Sequence, residues 1–264
     1  MNKSKSFEEF YYINTNKTHN VKYVVNYSES HQGDYSPFED RMLCPECEKA
    51  ILFLVNKTSV TRAHLKKKPS SSHENSCSYL YDYASKKTIQ NYVKELTDDQ
   101  IEDKLNSIMR MLFKCKKEKS DFLINNNLSN DKNDLSSMLI PEVKKDITEL
   151  KSLRRKSLSS WIDESDGTNL FLFYGEVKLE VVEKEKIYDD NKIYKYYILK
   201  LWTLGKQNQW KYRTQIYRGV NKDFIEKDKV YKIVMIGNLN FKWKYWNLDL
   251  INQSAIKIKE VDKK

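Results

Sequence analysis

Glycine and proline are scarce in this 264-residue chain, at 6 and 4, which argues against a linker-dominated or disordered protein. Cysteine is also sparse, with 4, too few for a disulfide-built scaffold of this length. No uninterrupted apolar stretch approaches the roughly 20 residues that cross a bilayer. Residues 1–9 are polar and charged, without the apolar core of a signal peptide. These absences predict a cytoplasmic protein with reduced thiols and no membrane partner. Enzyme signatures are missing too. There is no Gly-x4-Gly-Lys phosphate loop and no Gly-x-Ser-x-Gly elbow. Asp98/Asp99 and Asp189/Asp190 read as helix-cap and turn residues. Glu142-x-Lys144 has the carboxylate-lysine ending of a metal-dependent nuclease, but no acidic residue precedes it on a convincing strand. No catalytic residue is expected.

What the chain does have is aromatic mass and positive charge. It carries 18 Tyr, 10 Phe and 5 Trp, enough apolar area for real cores in the two domains that the length suggests. The formal net charge is +10, which points to an anionic partner. The preference for Lys, Asn, Ile and Tyr over Arg, Ala and Gly matches an AT-rich bacterial or phage coding bias.

The most specific motif is Cys44-Pro45-Glu46-Cys47. After sixteen intervening residues comes His64, and after twelve more Cys77. A Cys-x2-Cys turn presents two thiolates to one point, and with a third sulfur and an imidazole it suits tetrahedral Zn²⁺. Cys44, Cys47, His64 and Cys77 are therefore the expected ligands of a closed, structural zinc site. His73, four residues before Cys77, is the rival of Cys77 as the fourth ligand. Cys115, between lysines, reads as a bystander thiol.

The periodicity predicts an α+β protein: an N-terminal zinc-ribbon-like module (1–82), a helical middle (83–160) with a polar linker near 125–137, and a C-terminal five-stranded OB-like β-barrel (161–264). In the module, Phe10–Ile13 and Val21–Tyr27 should form a hairpin, and Ile51–Val55 another strand. Ile89, Tyr92, Val93 and Leu96 share one helical stripe. Thr97-Asp98-Asp99-Gln100 is a capping box that should start a second helix striped by Ile101, Leu105, Ile108, Met109 and Leu112. Pro141–Leu158 should be a connecting helix, with Val143, Ile147, Leu150 and Leu153 as its stripe. Five strands follow, over 170–182, 192–204, 209–218, 230–236 and 245–250, with 255–259 as an extension. A helical turn is expected at Asn221–Ile225, and Gly175 should ease the bend of the first long strand.

The barrel region interleaves cations and rings. Residues 201–264 hold fourteen Lys or Arg against six Asp or Glu, whereas 161–200 hold six against nine. Strand alternation puts Trp210 and Tyr212 on one face and Lys211 and Arg213 on the other, so bulges are needed before one face can offer both. Single-strand binders require rings to stack bases and cations to track phosphate. The expected contacts are Lys211, Arg213, Tyr217 and Arg218 on the third strand and Lys242, Trp243 and Lys244 at the later hairpin. The sequence thus predicts a non-catalytic, largely sequence-independent nucleic-acid-binding protein, single strands being favoured over duplex. Two alternatives stand beside it: a protein-interaction subunit of a mobile-element or phage-defence complex, and a nuclease accessory.

Over about residues 40–80, Cys44-Pro45-Glu46-Cys47, then His64-Leu65-Lys66-Lys67-Lys68-Pro69 and Cys77, resembles the N-terminal zinc module of competence CoiA-like proteins. Leu65 stands where that family has Phe, and Lys67 where it has a second His. The resemblance implies a zinc-binding module. The family's downstream nuclease carboxylates have no counterpart in this chain, so its activity is not carried over.

Overall fold

A computed structural model describes residues 5–113, 136–144, 147–162, 164–167, 169–187, 193–205, 208–242 and 245–261. The chain divides into two compact units, Met1–Tyr83 with Ser129–Ser152, and Ala84–Leu128 with Leu153–Lys264.

In the first unit, β1 (Glu9–Tyr12) lies between β2 (Lys17–Asn20) and β3 (Met42–Leu43) in an antiparallel sheet. The expected hairpin partner of β1, Val21–Tyr27, is instead the body of helix α1 (Lys22–Ser30). Lys17–Asn20 takes the edge of β1, and Val21, Val24 and Ser28 fall on one helical face that is buried. Burial of that face overrides the β preference of the two valines. β4 (Leu52–Val55) pairs with β5 (His64–Lys67), as the apolar run at 51–55 implied. Phe7, Phe10, Phe38, Met42, Leu52 and Leu65 form the core.

Residues 141–158 are not a helix. β6 (Leu139–Lys144) and β7 (Ile147–Ser152) form an antiparallel hairpin, and Arg155–Ser157 is a short strand, β8. The supposed stripe residues Val143 and Ile147 are 71% and 64% exposed, so the i, i+4 spacing marked the two sides of a hairpin. Pro141 also biases Ile140 toward extended backbone, and its missing N–H is tolerated in a two-stranded ribbon.

The second unit opens with α2 (Lys86–Glu95) and α3 (Asp98–Leu112). Thr97 and Gln100 make the capping box reciprocally, and Ile101, Leu105, Ile108 and Met109 are the buried stripe. α3 packs on β12 and β14, and Lys257 of β14 donates to Glu102 at 2.5 Å.

The barrel strands are β9 (Leu170–Ile187), β10 (Ile193–Leu204), β11 (Trp210–Gly219), β12 (Val230–Lys242) and β13 (Tyr245–Leu250), with β14 (Ile256–Glu260) added on β12. β9 pairs with β12 through 170–178 and with β10 through 177–187. Because β9 serves two neighbours along its length, the sheet closes in the order β9-β10-β11-β13-β12-β9, with β11 and β13 parallel. Phe173, Val177, Leu199, Leu201, Ile216 and Ile233 fill the interior. Gly237 marks where β12 leaves β9 for β13. A Cβ there would collide with the Asp249 carbonyl oxygen and come within 2.8 Å of the Leu248 side chain. Gly175 lies under Leu158, whose Cβ is 3.3 Å from where a side chain would begin.

The expected helical turn at 221–225 is absent; the segment is irregular. Arg218 explains this. Its guanidinium grips Asp223 through Nε (2.9 Å) and a terminal nitrogen (3.2 Å). Ile225 packs against the barrel core, and the Glu226 N–H donates to the Tyr231 hydroxyl at 2.8 Å. These tertiary contacts satisfy the segment and leave a short helix nothing to add.

Candidate metal centre and the outer face of the barrel

Cys44 follows β3 and begins a tight turn. Its N–H donates to the Ala50 carbonyl (2.8 Å), and its carbonyl accepts from Glu48 (2.9 Å). Glu48 adopts a φ of +52°, the left-handed conformation that closes such turns. Cys77 is held by its N–H to the Glu74 carbonyl at 2.9 Å, a local turn that sets His73 and Cys77 side by side. The two turns are stitched together: Glu46 accepts from the Ser78 N–H (2.7 Å) and hydroxyl (2.6 Å). His73 stacks with its ring nearly parallel to those of Phe7 and Tyr79, which restricts its orientation.

Cys44, Cys47, His73 and Cys77 place one ligand atom each within 4.8 Å of all the others. Cys44 Sγ lies 3.8 Å from Cys77 Sγ, and His73 Nδ1 lies 3.5 Å from the sulfurs of both Cys47 and Cys77. Tetrahedral ligands at Zn–S ~2.3 Å and Zn–N ~2.0–2.1 Å lie about 3.8 Å and about 3.5 Å apart, respectively. Three sulfurs and one imidazole at these separations could hold one metal ion.

His64 is not among them, which corrects the expected ligand set. It starts β5, paired with Val55. Leu65 points into the core, so alternation turns His64 the other way, and its Nδ1 meets the Arg62 carbonyl at 2.9 Å. His73, expected only as a rival of Cys77, stands in the cluster together with Cys77.

In the protein alone, burial pushes the Cys44 thiol up to about 12. Hydrogen bonds from Cys44 and then Cys77 hold Cys47 far below the ordinary thiol range. Hydrogen bonds with Cys44 and then Cys47 raise Cys77. Binding a cation through all three would release protons.

On the barrel, the nucleic-acid contacts expected from the sequence divide. Lys211 is exposed and Tyr217 is 54% exposed. Arg213 is half-buried. Arg218 is buried, at 7%, and a second anchor, the Gln253 carbonyl at 3.0 Å, joins Asp223 in holding it. It is a brace for the loop after β11 and no surface contact. The side chain of Lys242, and Trp243 and Lys244 altogether, lie outside the described residues.

The outer face carries rings that the sequence reading did not join. Register shifts between β10 and β11 bring Trp202 opposite Tyr212, with centroids 5.8 Å apart, and Tyr212 meets Tyr245 of β13 at 6.0 Å. Three rings thus cross three neighbouring strands. Tyr212 is 37% exposed and Tyr245 57%; burial, then the neighbouring Tyr245, raises the Tyr212 hydroxyl pKa. Trp210 and Tyr212 were expected to share a face. The bulge past Arg213 that aligns Tyr212 with Trp202 leaves no signature in composition.

Comparison of the chain with protein-family models, with curated proteins and with solved structures returns no match.

Proposed function

We propose that this chain is a non-catalytic binder of single-stranded nucleic acid, acting through the outer face of its barrel. Cys44, Cys47, His73 and Cys77 hold a structural Zn²⁺ in this reading. The observation that carries it is the row Trp202, Tyr212, Tyr245 on adjacent strands. A closed five-stranded barrel suits an OB-fold, whose second and third strands carry the ligand face; β10 and β11 are the second and third here. Rings on that face offer π-surfaces that any base can stack on, so recognition is largely sequence-independent. Lys211 is exposed next to Tyr212 in sequence but lies opposite Thr203, on the other face from the rings.

The basic surplus of residues 201–264 is partly neutralised. Lys229 sits between Glu226 and Glu260, and Lys257 pairs with Glu102. The rings therefore weigh more in the reading than the net charge does.

The metal reading follows from donor chemistry. Sulfur-rich tetrahedral sets select soft or borderline cations. Four protein donors leave no position for catalytic water, so the ion joins the two turns and does no chemistry.

The test is titration of fluorescent single-stranded DNA and RNA with the full chain at two salt concentrations. Micromolar or tighter binding that weakens with salt, and that falls about 5- to 150-fold in Tyr212→Ala, is the expected result, since one stacking contact is worth about 1–3 kcal/mol. No binding at low salt contradicts the proposal and favours a protein partner. Divalent-dependent cleavage of the oligonucleotide favours the nuclease-accessory alternative.

A further inference from the structure

β9 and β10 run past the barrel that they help to build. β12 pairs with β9 only as far as Lys178, and β11 reaches β10 only from Tyr197 onward. Among the described residues, 184–187 and 193–196 pair only with each other, a two-stranded ribbon continuous with the second strand of the barrel.

The register sorts the side chains of this ribbon. Tyr194 is opposite Lys186, and Tyr196 is opposite Lys184. Residues directly opposite in an antiparallel pair share a face, and neighbours along a strand do not. Lys184, Lys186, Tyr194 and Tyr196 therefore make one face. The other carries Glu183, Glu185 and Lys195, with Lys195 Nζ at 2.8 Å from Glu183 and 3.4 Å from Glu185. The two acids are thus partly neutralised on their own side, by one lysine. The deficit of positive charge counted over 161–200 conceals a ribbon with one cationic, aromatic face.

That face runs on into the barrel. Tyr196 lies 5.6 Å from Tyr217 of β11. Counting by twos along β10, Tyr194 and Tyr196 lie on the same side as Ile198, Lys200 and Trp202, the first ring of the row described above. From Tyr194 to Trp202 is about 26 Å of strand.

We infer that the ribbon is a second segment of the binding track, with Lys184 and Lys186 contacting phosphate and Tyr194 and Tyr196 offering π-faces to bases, so that a single strand lies lengthwise along β10. This rests on the proposed nucleic-acid reading and adds its path and extent: short oligonucleotides occupy the barrel face alone, and longer ones also engage the ribbon.

The experiment measures affinity of the full chain for oligothymidylates of 4 and 15 nucleotides across a salt series, for the parent, for Lys184→Gln/Lys186→Gln and for Lys195→Gln. With the 15-mer, the double variant should bind more weakly, and its slope of log K against log salt should shrink by about 1.4, two phosphate contacts at ~0.7 each for single strands. With the 4-mer it should match the parent, and Lys195→Gln should match the parent with both. A parental slope for the double variant with the 15-mer, or an equal loss in Lys195→Gln, overturns the ribbon inference while the barrel face stands if Tyr212→Ala still weakens binding. Absence of binding by the parent overturns both.

Discussion

Replacing Arg218 with alanine should unfold the barrel more easily and leave the proposed nucleic-acid face intact. The side chain is 8% exposed, its partner Asp223 15%. It makes two bonds to the Asp223 carboxylate, at 2.9 and 3.2 Å, and two to Gln253, at 3.0 and 3.2 Å. Truncation strands a nearly buried carboxylate and the Gln253 acceptors together. Breaking one side of a buried pair in this way costs about 3–5 kcal/mol. At about 2–4 °C per kcal/mol for a unit of this size, the melting temperature of the barrel unit should fall by roughly 6–20 °C. Thermal melts followed by circular dichroism measure this, with Lys211→Ala as the surface comparison, expected within about 0.5 kcal/mol of the parent. Below its own melting temperature, Arg218→Ala should keep most of its affinity for single strands. A variant that melts like the parent and loses binding with a reduced salt slope would refute the reasoning and return Arg218 to the surface.

Metal analysis of the purified chain should find about one zinc per molecule, retained in His64→Ala and lost or weakened in His73→Ala and Cys77→Ser; retention in His73→Ala with loss in His64→Ala would reverse the ligand assignment. Gly237→Ala should destabilise the barrel unit by about 1–3 kcal/mol, as overpacking does, because the new Cβ meets the Asp249 backbone; a neutral melt would show that β12 can shift. Lys104, set among Ile89, Val93, Leu96, Ile101 and Leu153, has its pKa lowered by burial. The unfolded chain then holds more protons than the folded one between the lowered value and about 10.4, so stability should rise with pH across that window. Lys104→Met should melt higher at neutral pH, with the gain shrinking towards pH 10; urea melts at pH 7 and 10 check both.

Local signals were legible where one principle governed. The capping box at Thr97 and Gln100, the α3 stripe and the alternating barrel strands all appear in the structure much as their patterns implied. The failures came where tertiary contacts chose between local options. Val21–Tyr27 reads as a strand by propensity, yet the edge of β1 was already taken. Val143 and Ile147 fit a helical stripe, but they flank a hairpin. At the cluster, the Cys-x2-Cys turn and Cys77 were readable from spacing. That His73 would join Cys77 while His64 stayed out was not, because it depends on which way β5 points its side chains. Arg218 resembled a phosphate contact in sequence, and its partner Gln253 is 35 residues away. The ring row was half visible, since only the bulge in β11 sets Tyr212 against Trp202.

Photo-crosslinking tests the central claim most directly. Full-length protein is irradiated with a single-stranded oligonucleotide bearing 5-iodouracil, and the crosslinked peptides are mapped by mass spectrometry. The account predicts crosslinks at Trp202, Tyr212, Tyr217 or Tyr245, suppressed by high salt and by unlabelled single strand. Crosslinks confined to residues 5–83, or none at all at low salt, would contradict it.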